Sequence, residues 1–249
     1  MTLQNQTILI TGASRGLGAA IARKCVAECA NVILHYGANA KAAQALQKTL
    51  GSAVLGCVQE DLRLPGAGMR LWEKATKLAG PIHGLVNNAG IDPASQLDGD
   101  IVPWRQSWAD NLAVNLMAPA ELSRFAIGAF RKQSGGIIIN IASRAGIRGD
   151  DINHDAYAAS KGAILAHTRT LARALAGENI LCYAIAPGWI NTDMAPKGGE
   201  KLDLALSEIP LGRMAEPEEI ASLTVFLLSG TCPSATGATF DVNGASYVR

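Results

Sequence analysis

Short apolar runs alternate with helix-length segments from one end of the chain to the other, and this alternation constrains the fold most. The runs occupy 7–11, 31–36, 53–59, 82–87, 136–143, 180–186 and 239–242. Between them lie segments with helical patterning, among them 16–30, 40–50, 104–132, 156–176 and 217–228. The run Ile137-Ile138-Ile139-Asn140-Ile141 does not alternate polar with apolar residues. That pattern fits a strand covered on both faces rather than one edged by water. Strands separated by helices require right-handed crossovers, and therefore a parallel sheet with helices packed on each side. The expected class is α/β: a doubly wound parallel sheet of about seven strands, a three-layer αβα sandwich, in one domain spanning 1–249.

Composition narrows the partners. The 249 residues are 49% hydrophobic and 17% charged, too apolar and too nearly neutral for a disordered chain. Lys plus Arg number 22 against 21 for Asp plus Glu. Without a basic surplus, a nucleic acid or an anionic membrane loses its main electrostatic attraction, so neither is an expected partner. Residues 1–7 show no basic n-region, and no run of about eighteen apolar residues is present, so a cytoplasmic protein is expected. Cys25, Cys29, Cys57, Cys182 and Cys232 are odd in number and lack CxxC spacing. They read as buried free thiols, and no metal site is expected.

The least regular stretch, 188–217, holds Pro196, Gly198, Gly199, Pro210 and Gly212 and follows the sixth apolar run. A long connection beyond a strand's carboxyl end is where open α/β sheets bind ligands, so this stretch is a candidate substrate lid.

The first run leads into Thr11-Gly12-Ala13-Ser14-Arg15-Gly16-Leu17-Gly18 and then a helix. Glycines there let the backbone turn and approach a pyrophosphate, while the helix N-terminus offers free N–H donors. An acceptor for a ribose 2′-hydroxyl would be an Asp or Glu at the end of the second strand. That strand ends His35-Tyr36-Gly37-Ala38-Asn39, and no acid occurs between Glu28 and Glu60. Arg15, with Asn39 or Lys41, suits a 2′-phosphate instead. NADP is therefore favoured, with NAD the alternative.

Chemistry-bearing residues cluster at later strand ends. Asn87-Asn88-Ala89-Gly90 closes the fourth run, Ser143 the fifth, and Tyr157-Ala-Ala-Ser-Lys161 opens the next helix. Tyr157 and Lys161 share a helix face whose stripe continues through Ile164, Thr168, Leu171 and Leu175. A buried ammonium at the head of a core stripe needs a reason. Proton exchange with a carbonyl or alcohol oxygen supplies one. A free phenol has a pKa near 10, and bringing it to neutrality takes roughly 4 kcal/mol of differential interaction, which a nearby ammonium can provide. Ser143 would hydrogen-bond the substrate oxygen and Tyr157 would be the general acid or base.

Taken together, TGASRGLG, NNAG, the Ser143 strand end and YAASK resemble the short-chain dehydrogenase/reductase family. The likeness runs through Pro187-Gly188 to the closing Pro217-Glu-Glu-Ile220 and Thr236-Gly237. It implies a Rossmann-type fold, a nicotinamide cofactor and a catalytic tetrad matching Asn115, Ser143, Tyr157 and Lys161. It further implies cofactor contacts from Asp61 and Leu62 at the adenine. Asn87, Ala89 and Gly90 would line the cleft. Tyr157 and Lys161 would reach the nicotinamide ribose, and Pro187, Gly188, Ile190 and Thr192 would lie near the carboxamide. A homotetramer, or a dimer, is the implied assembly. The chain departs from the common pattern by fourteen residues between Ser143 and Tyr157 where thirteen is usual, and by ending Asp241-Val-Asn-Gly244-Ala245.

The substrate is less constrained. Arg144, Arg148, His154 and Trp189 are candidate substrate contacts, in a polar loop that fits a polar or anionic molecule. The overall likeness is strongest to 3-oxoacyl-(acyl-carrier-protein) reductases, which act on a thioester. Arg131 and Lys132 remain for an acidic carrier protein, with Glu178 working against them. The competing readings are a dehydrogenase of a sugar, polyol or small hydroxy compound, and a nucleotide-binding protein without catalysis.

Overall fold

The computed structural model describes residues 2–193 and 195–248. Met194, inside the candidate lid, therefore lies outside the described residues, as do Met1 and Arg249. Among the described residues the sheet has seven strands: β1 (Thr7–Ile10), β2 (Asn31–Tyr36), β3 (Val54–Gln59), β4 (Gly84–Asn87), β5 (Gly136–Ile141), β6 (Ile180–Pro187) and β7 (Thr239–Val242). Their order is β3-β2-β1-β4-β5-β6-β7 and each neighbouring pair is parallel. The helices are α1 (Gly16–Ala27), α2 (Ala40–Leu50), α3 (Ala67–Ala79), α4 (Ile101–Leu112), α5 (Ala118–Lys132), α6 (Ala145–Arg148), α7 (Asp155–Leu175), α8 (Glu200–Ser207) and α9 (Pro217–Leu228).

Alternate strand residues enter opposite core layers, as the unbroken apolar runs require. Ile8, Ile10, Val86, Ile139 and Ile185 pack with Ile21 of α1 and Ile220 and Val225 of α9. Leu9, Leu85, Ile138 and Cys182 face the other way, onto Leu71 of α3, Leu122 and Phe130 of α5 and Leu175 of α7. Each fully buried aliphatic chain contributes about 1.5–3 kcal/mol relative to an exposed one, so both helical layers are needed.

The order of strands reverses between β1 and β4, and their carboxyl ends open on one crevice. That is the switch point at which such sheets bind ligands. Three differences from the expected elements matter there. Residues 104–132 form α4, a π turn at Ala113–Met117, and α5. The inserted residue of a π turn often marks a functional position, and here the turn carries Asn115. Next, β5 ends at Ile141, so Ser143 stands two residues past the strand, where the chain turns into α6. Finally, the 188–217 stretch is not wholly irregular, since it contains α8.

The cysteines only partly follow expectation. All five are free; Cys25 and Cys182 are buried, Cys57 is partly covered, and Cys29 and Cys232 are exposed. Burial alone pushes the Cys25 thiol up to about 12. Among the described residues no helix is long and apolar enough to cross a membrane.

Candidate active site

The glycine loop sits at the carboxyl end of β1, held from both sides. Thr11 Oγ1 accepts the backbone N–H groups of Asn88 and Ala89, each at 2.9 Å. Asn88 Nδ2 donates back to the Thr11 carbonyl at 2.8 Å. From β2, buried His35 accepts the Gly12 N–H on Nδ1 at 3.0 Å. That bond leaves Nε2 as the protonated nitrogen, and it lies 3.0 Å from the Glu60 carbonyl. Burial, the largest influence, keeps the His35 pKa below its ordinary value, so the ring is a neutral strut.

Gly18 permits the closest approach. A Cβ there would stand 2.3 Å from the Gly12 carbonyl and 2.6 Å from Asn88 Nδ2. Gly16 has φ +52° and faces Thr192, whose Cγ2 lies 3.5 Å from where a Gly16 Cβ would be, so the segment after β6 folds over the loop. The first turn of α1 carries no acid and no side-chain cap. Its N–H donors and dipole therefore fit an anionic pyrophosphate. Arg15 is exposed and makes no ion pair or side-chain hydrogen bond among the described residues.

The nearest acid beyond β2 is Glu60, and it is engaged elsewhere. Arg70 and Lys74 each approach its carboxylate to 2.7 Å. Asn39 caps α2, accepting the Ala42 N–H at 3.0 Å. Asp61 holds Arg63 through two side-chain bonds and its backbone N–H. The side chains of Asn39 and Asp61, expected as cofactor contacts, thus also serve a cap and a turn.

Asn87 is buried at the β4–β5 register pair and donates to Asn140 Oδ1 at 2.8 Å. Asn140 in turn donates to Thr168 of α7 at 2.8 Å. The neighbouring Asn88 takes the glycine loop instead, because successive strand residues face opposite ways. His35 and Asn88 are the functional positions that the sequence reading missed. The only signal was a polar residue inside an apolar run.

The expected tetrad assembles at the carboxyl ends of β4 and β5. Asn115 brackets Ile91, donating to its carbonyl at 2.9 Å and accepting its N–H at 3.0 Å. It also donates to Ser160 Oγ at 3.0 Å, which ties it to the catalytic helix. Gly90 lets two of the four approach: a Cβ there would lie 3.4 Å from both Asn115 Oδ1 and Lys161 Nζ. Gly146 has a similar function at α7, where an added Cβ would stand 2.4 Å from the Lys161 carbonyl carbon. Ser143 Oγ accepts the Ala145 N–H at 3.1 Å, and its hydroxyl is near enough to Tyr157 to lower the phenol's pKa. Lys161 is 4% exposed and donates to the Ile141 carbonyl at 2.8 Å, with Nζ 5.6 Å from the Tyr157 ring centroid.

Electrostatics differ from the simple expectation of a phenol brought down by its ammonium neighbour. Burial pushes Tyr157 up to about 12, against a lowering by the nearby Ser143 hydroxyl, and the carboxylates of Asp92 and Asp150 add to the rise. The same burial brings Lys161 down to about 8. The protein therefore holds the phenol in its proton-donating form. Its ammonium is close to releasing a proton.

Lys161 is accordingly a stability cost. Its pKa is lower folded than unfolded, so the penalty is complete below about pH 8 and fades as pH rises toward 10.5. Lys161→Met should abolish turnover yet raise the Tm below pH 8 by roughly 3–8 °C, after allowing about 1 kcal/mol for the lost hydrogen bond. The gain should shrink between pH 8 and 10.5. Calorimetry across that range checks it; a lower Tm at pH 7 would mean the ammonium is stabilising.

The remaining substrate candidates lie in the loop after Ser143 and just past β6. His154 lies 2.8 Å from Asp92 through Nδ1, and this pairing outweighs burial to raise the imidazole pKa. Arg144 and Arg148 both reach Glu208, just after α8. Trp189 lies under the Arg144 guanidinium, 5.9 Å from carbon to ring centroid. Pro187, Gly188 and Ile190 run along the end of β6, with Gly188 pressed against Asn243. Ser14 is partly covered, Leu17 and Leu62 are buried, and Ala89 is fixed by Thr11.

A loop shaped for phosphates, opening on the same crevice as a partly covered phenol and a buried ammonium, is the equipment of a nucleotide-dependent oxidoreductase, and fold and site together define that class. Residues 12–245 match the family model described as enoyl-(acyl carrier protein) reductase. The chain is 35% identical to a 3-oxoacyl-(acyl-carrier-protein) reductase of Pseudomonas aeruginosa and 34% identical to that of Thermotoga maritima, with 100% of each chain covered. A short chain dehydrogenase from Burkholderia cenocepacia, solved in complex with NADP, superposes with TM-score 0.90 at 30% identity over 99% of both chains. The chain belongs to the short-chain dehydrogenase/reductase family.

Proposed function

We propose that this enzyme reduces the ketone of a 3-oxoacyl thioester, taking hydride from NADPH and a proton from Tyr157. The observation that carries the reading is the meeting of Ser143, Tyr157, Lys161 and Asn115 at the crevice onto which the glycine loop opens. Gly12, Gly16 and Gly18 would admit the pyrophosphate and Arg15 the 2′-phosphate, since the end of β2 offers no competing acid. The nicotinamide, when bound, supplies or accepts hydride.

The chain's own residues handle the proton. Ser143, with one lone pair taken by the Ala145 N–H, keeps its hydroxyl proton for the substrate oxygen or Tyr157. Tyr157 then gives its proton to the oxygen as negative charge develops there. Lys161, near its own deprotonation, replaces it. Asn115 fixes the path by holding Ile91 and Ser160 in place.

Stretch 188–217 acts as the lid, with Thr192 already over the glycine loop. A protein of this kind works in the cytoplasm, and we favour a homotetramer. An apolar groove of about 470 Å³ between α5 and α7, lined by Ile127, Gly128 and Leu171, supports pairing through those helices. The reductase relatives act, by their names, on carrier-bound acyl groups. The docking patch expected here is weakened: Glu178 engages Arg131 at 2.6 and 2.9 Å, so Lys132 stands without that second cation. This pairing favours a coenzyme A thioester over a carrier-bound one.

The test is NADPH oxidation at 340 nm with acetoacetyl-CoA. Turnover establishes the reading; its absence, with NADPH bound, moves the assignment to sugars, polyols or hydroxy acids. Arg15→Ala should raise the Kd for NADPH by about tenfold or more and leave NADH nearly unchanged, as expected for one charge-assisted phosphate contact. Equal loss for both would assign Arg15 to the pyrophosphate instead.

A further inference from the structure

Arg144 follows the candidate catalytic Ser143 directly and is 6% exposed. Its guanidinium lies over Trp189, and Nη2 donates to Glu208 Oε2 at 2.8 Å. Arg148 reaches the same oxygen at 3.2 Å. Two guanidinium groups, each able to grip a carboxylate with a pair of parallel bonds, thus share one carboxylate oxygen through one bond apiece. Nη1 of Arg144 is buried and has no hydrogen-bond partner.

Such an arrangement is costly in a merely structural role. A buried cation needs its donors satisfied, and an apolar residue of similar size is often at least as stabilising as a buried ion pair. Asp150 is the other nearby acid; it acts on Arg144 only at longer range, while its Oδ1 accepts the Asp151 N–H at 2.9 Å. Glu208 itself belongs to the candidate lid and is partly exposed. It is placed to leave one arginine without losing the other.

We propose that Arg144 is the anchor for a carboxylate carried by the substrate, which engages Nη1 and Nη2 together and leaves Glu208 on Arg148. The preferred substrate is then an oxo compound bearing a free carboxylate. The proposal rests on the carbonyl-reductase part of that reading and changes its substrate, since a 3-oxoacyl thioester has no free carboxylate to offer Arg144. Because Nη1 is covered, entry of the carboxylate requires Trp189 or α8 to shift, which couples substrate charge to opening of the 188–217 segment.

The experiment compares 2-, 3- and 4-oxo acids with their methyl esters in NADPH oxidation. At the best chain length, kcat/KM for the acid should exceed that for its ester by about tenfold to a hundredfold, the range of one charged hydrogen-bonded contact. Arg144→Met should bring that ratio close to one, chiefly through KM, and Arg144→Lys should restore part of it. Arg148→Met, at the more exposed position, provides a second variant and should lower the ratio less. A ratio near one in the wild type overturns the proposal, as does a ratio that survives Arg144→Met. If neither acid nor ester is reduced, the reductase reading fails separately. Thermal shift of the NADP-loaded protein then decides the anchor: levulinate should raise the Tm and methyl levulinate should not. No rise with levulinate would again overturn it.

Discussion

Tyr157→Phe should lower kcat by about three orders of magnitude, within the range attributed to a positioned general acid, while NADPH binding stays near wild type. The phenyl ring keeps the packing at the head of α7, so the loss isolates the hydroxyl. That hydroxyl feels Ser143, and the ring centroid lies 5.6 Å from Lys161 Nζ. Because burial holds the phenol up at about 12, the wild type keeps its proton throughout the neutral range. Carbonyl reduction should therefore fall at alkaline pH with Lys161, near 8, rather than with Tyr157. Stopped-flow measurement of hydride transfer with acetoacetyl-CoA in both proteins is the check. Tyr157→Phe turnover within tenfold of wild type would assign the proton to another group.

Gly18→Ala should be the most damaging single methyl group at the nucleotide end. The new Cβ would meet the Gly12 carbonyl at 2.3 Å and Ala13 Cα at 2.9 Å, and both belong to backbone fixed by β1 and β4. Neither can rotate away. Relief requires α1 to move off the loop, which disturbs the α1–α9 layer and misdirects the N–H donors together. Overpacking of this kind costs about 1–3 kcal/mol, or roughly 3–10 °C in Tm for a chain of this size. NADPH affinity should fall by about a hundredfold or more, because several phosphate donors shift at once. Calorimetry and fluorescence titration of NADPH measure the two effects separately. A variant with unchanged Tm and Kd would show that the loop yields more readily than its packing implies.

Asn87 and Asn88 show where sequence reading stops. Both stand in one polar cluster at the end of an apolar run, and both suit a cleft. The parallel register sets Asn87 opposite Asn140, inside the sheet, and so turns Asn88 to the glycine loop. His35 is similar: nothing local distinguishes a strand histidine that braces Gly12 from one that merely fills space. Glu178 was legible as an opposing charge, but its ion pair with Arg131, 47 residues away, was not. Arg144 was legible as a loop arginine, but its burial, its shared acid and its unpartnered nitrogen were not.

By itself the sequence determined the alternation of strands and helices, the parallel doubly wound sheet, the phosphate loop and the Tyr157–Lys161 pair. These follow from signals carried within a few residues: periodicity, glycine placement and spacing along one helix face. Tertiary structure alone decided which way each polar side chain turned and which charges became partners. Such pairings join residues tens of positions apart, and each is worth about a kilocalorie, too little to leave a local pattern. They form only after core burial has brought the strand ends together.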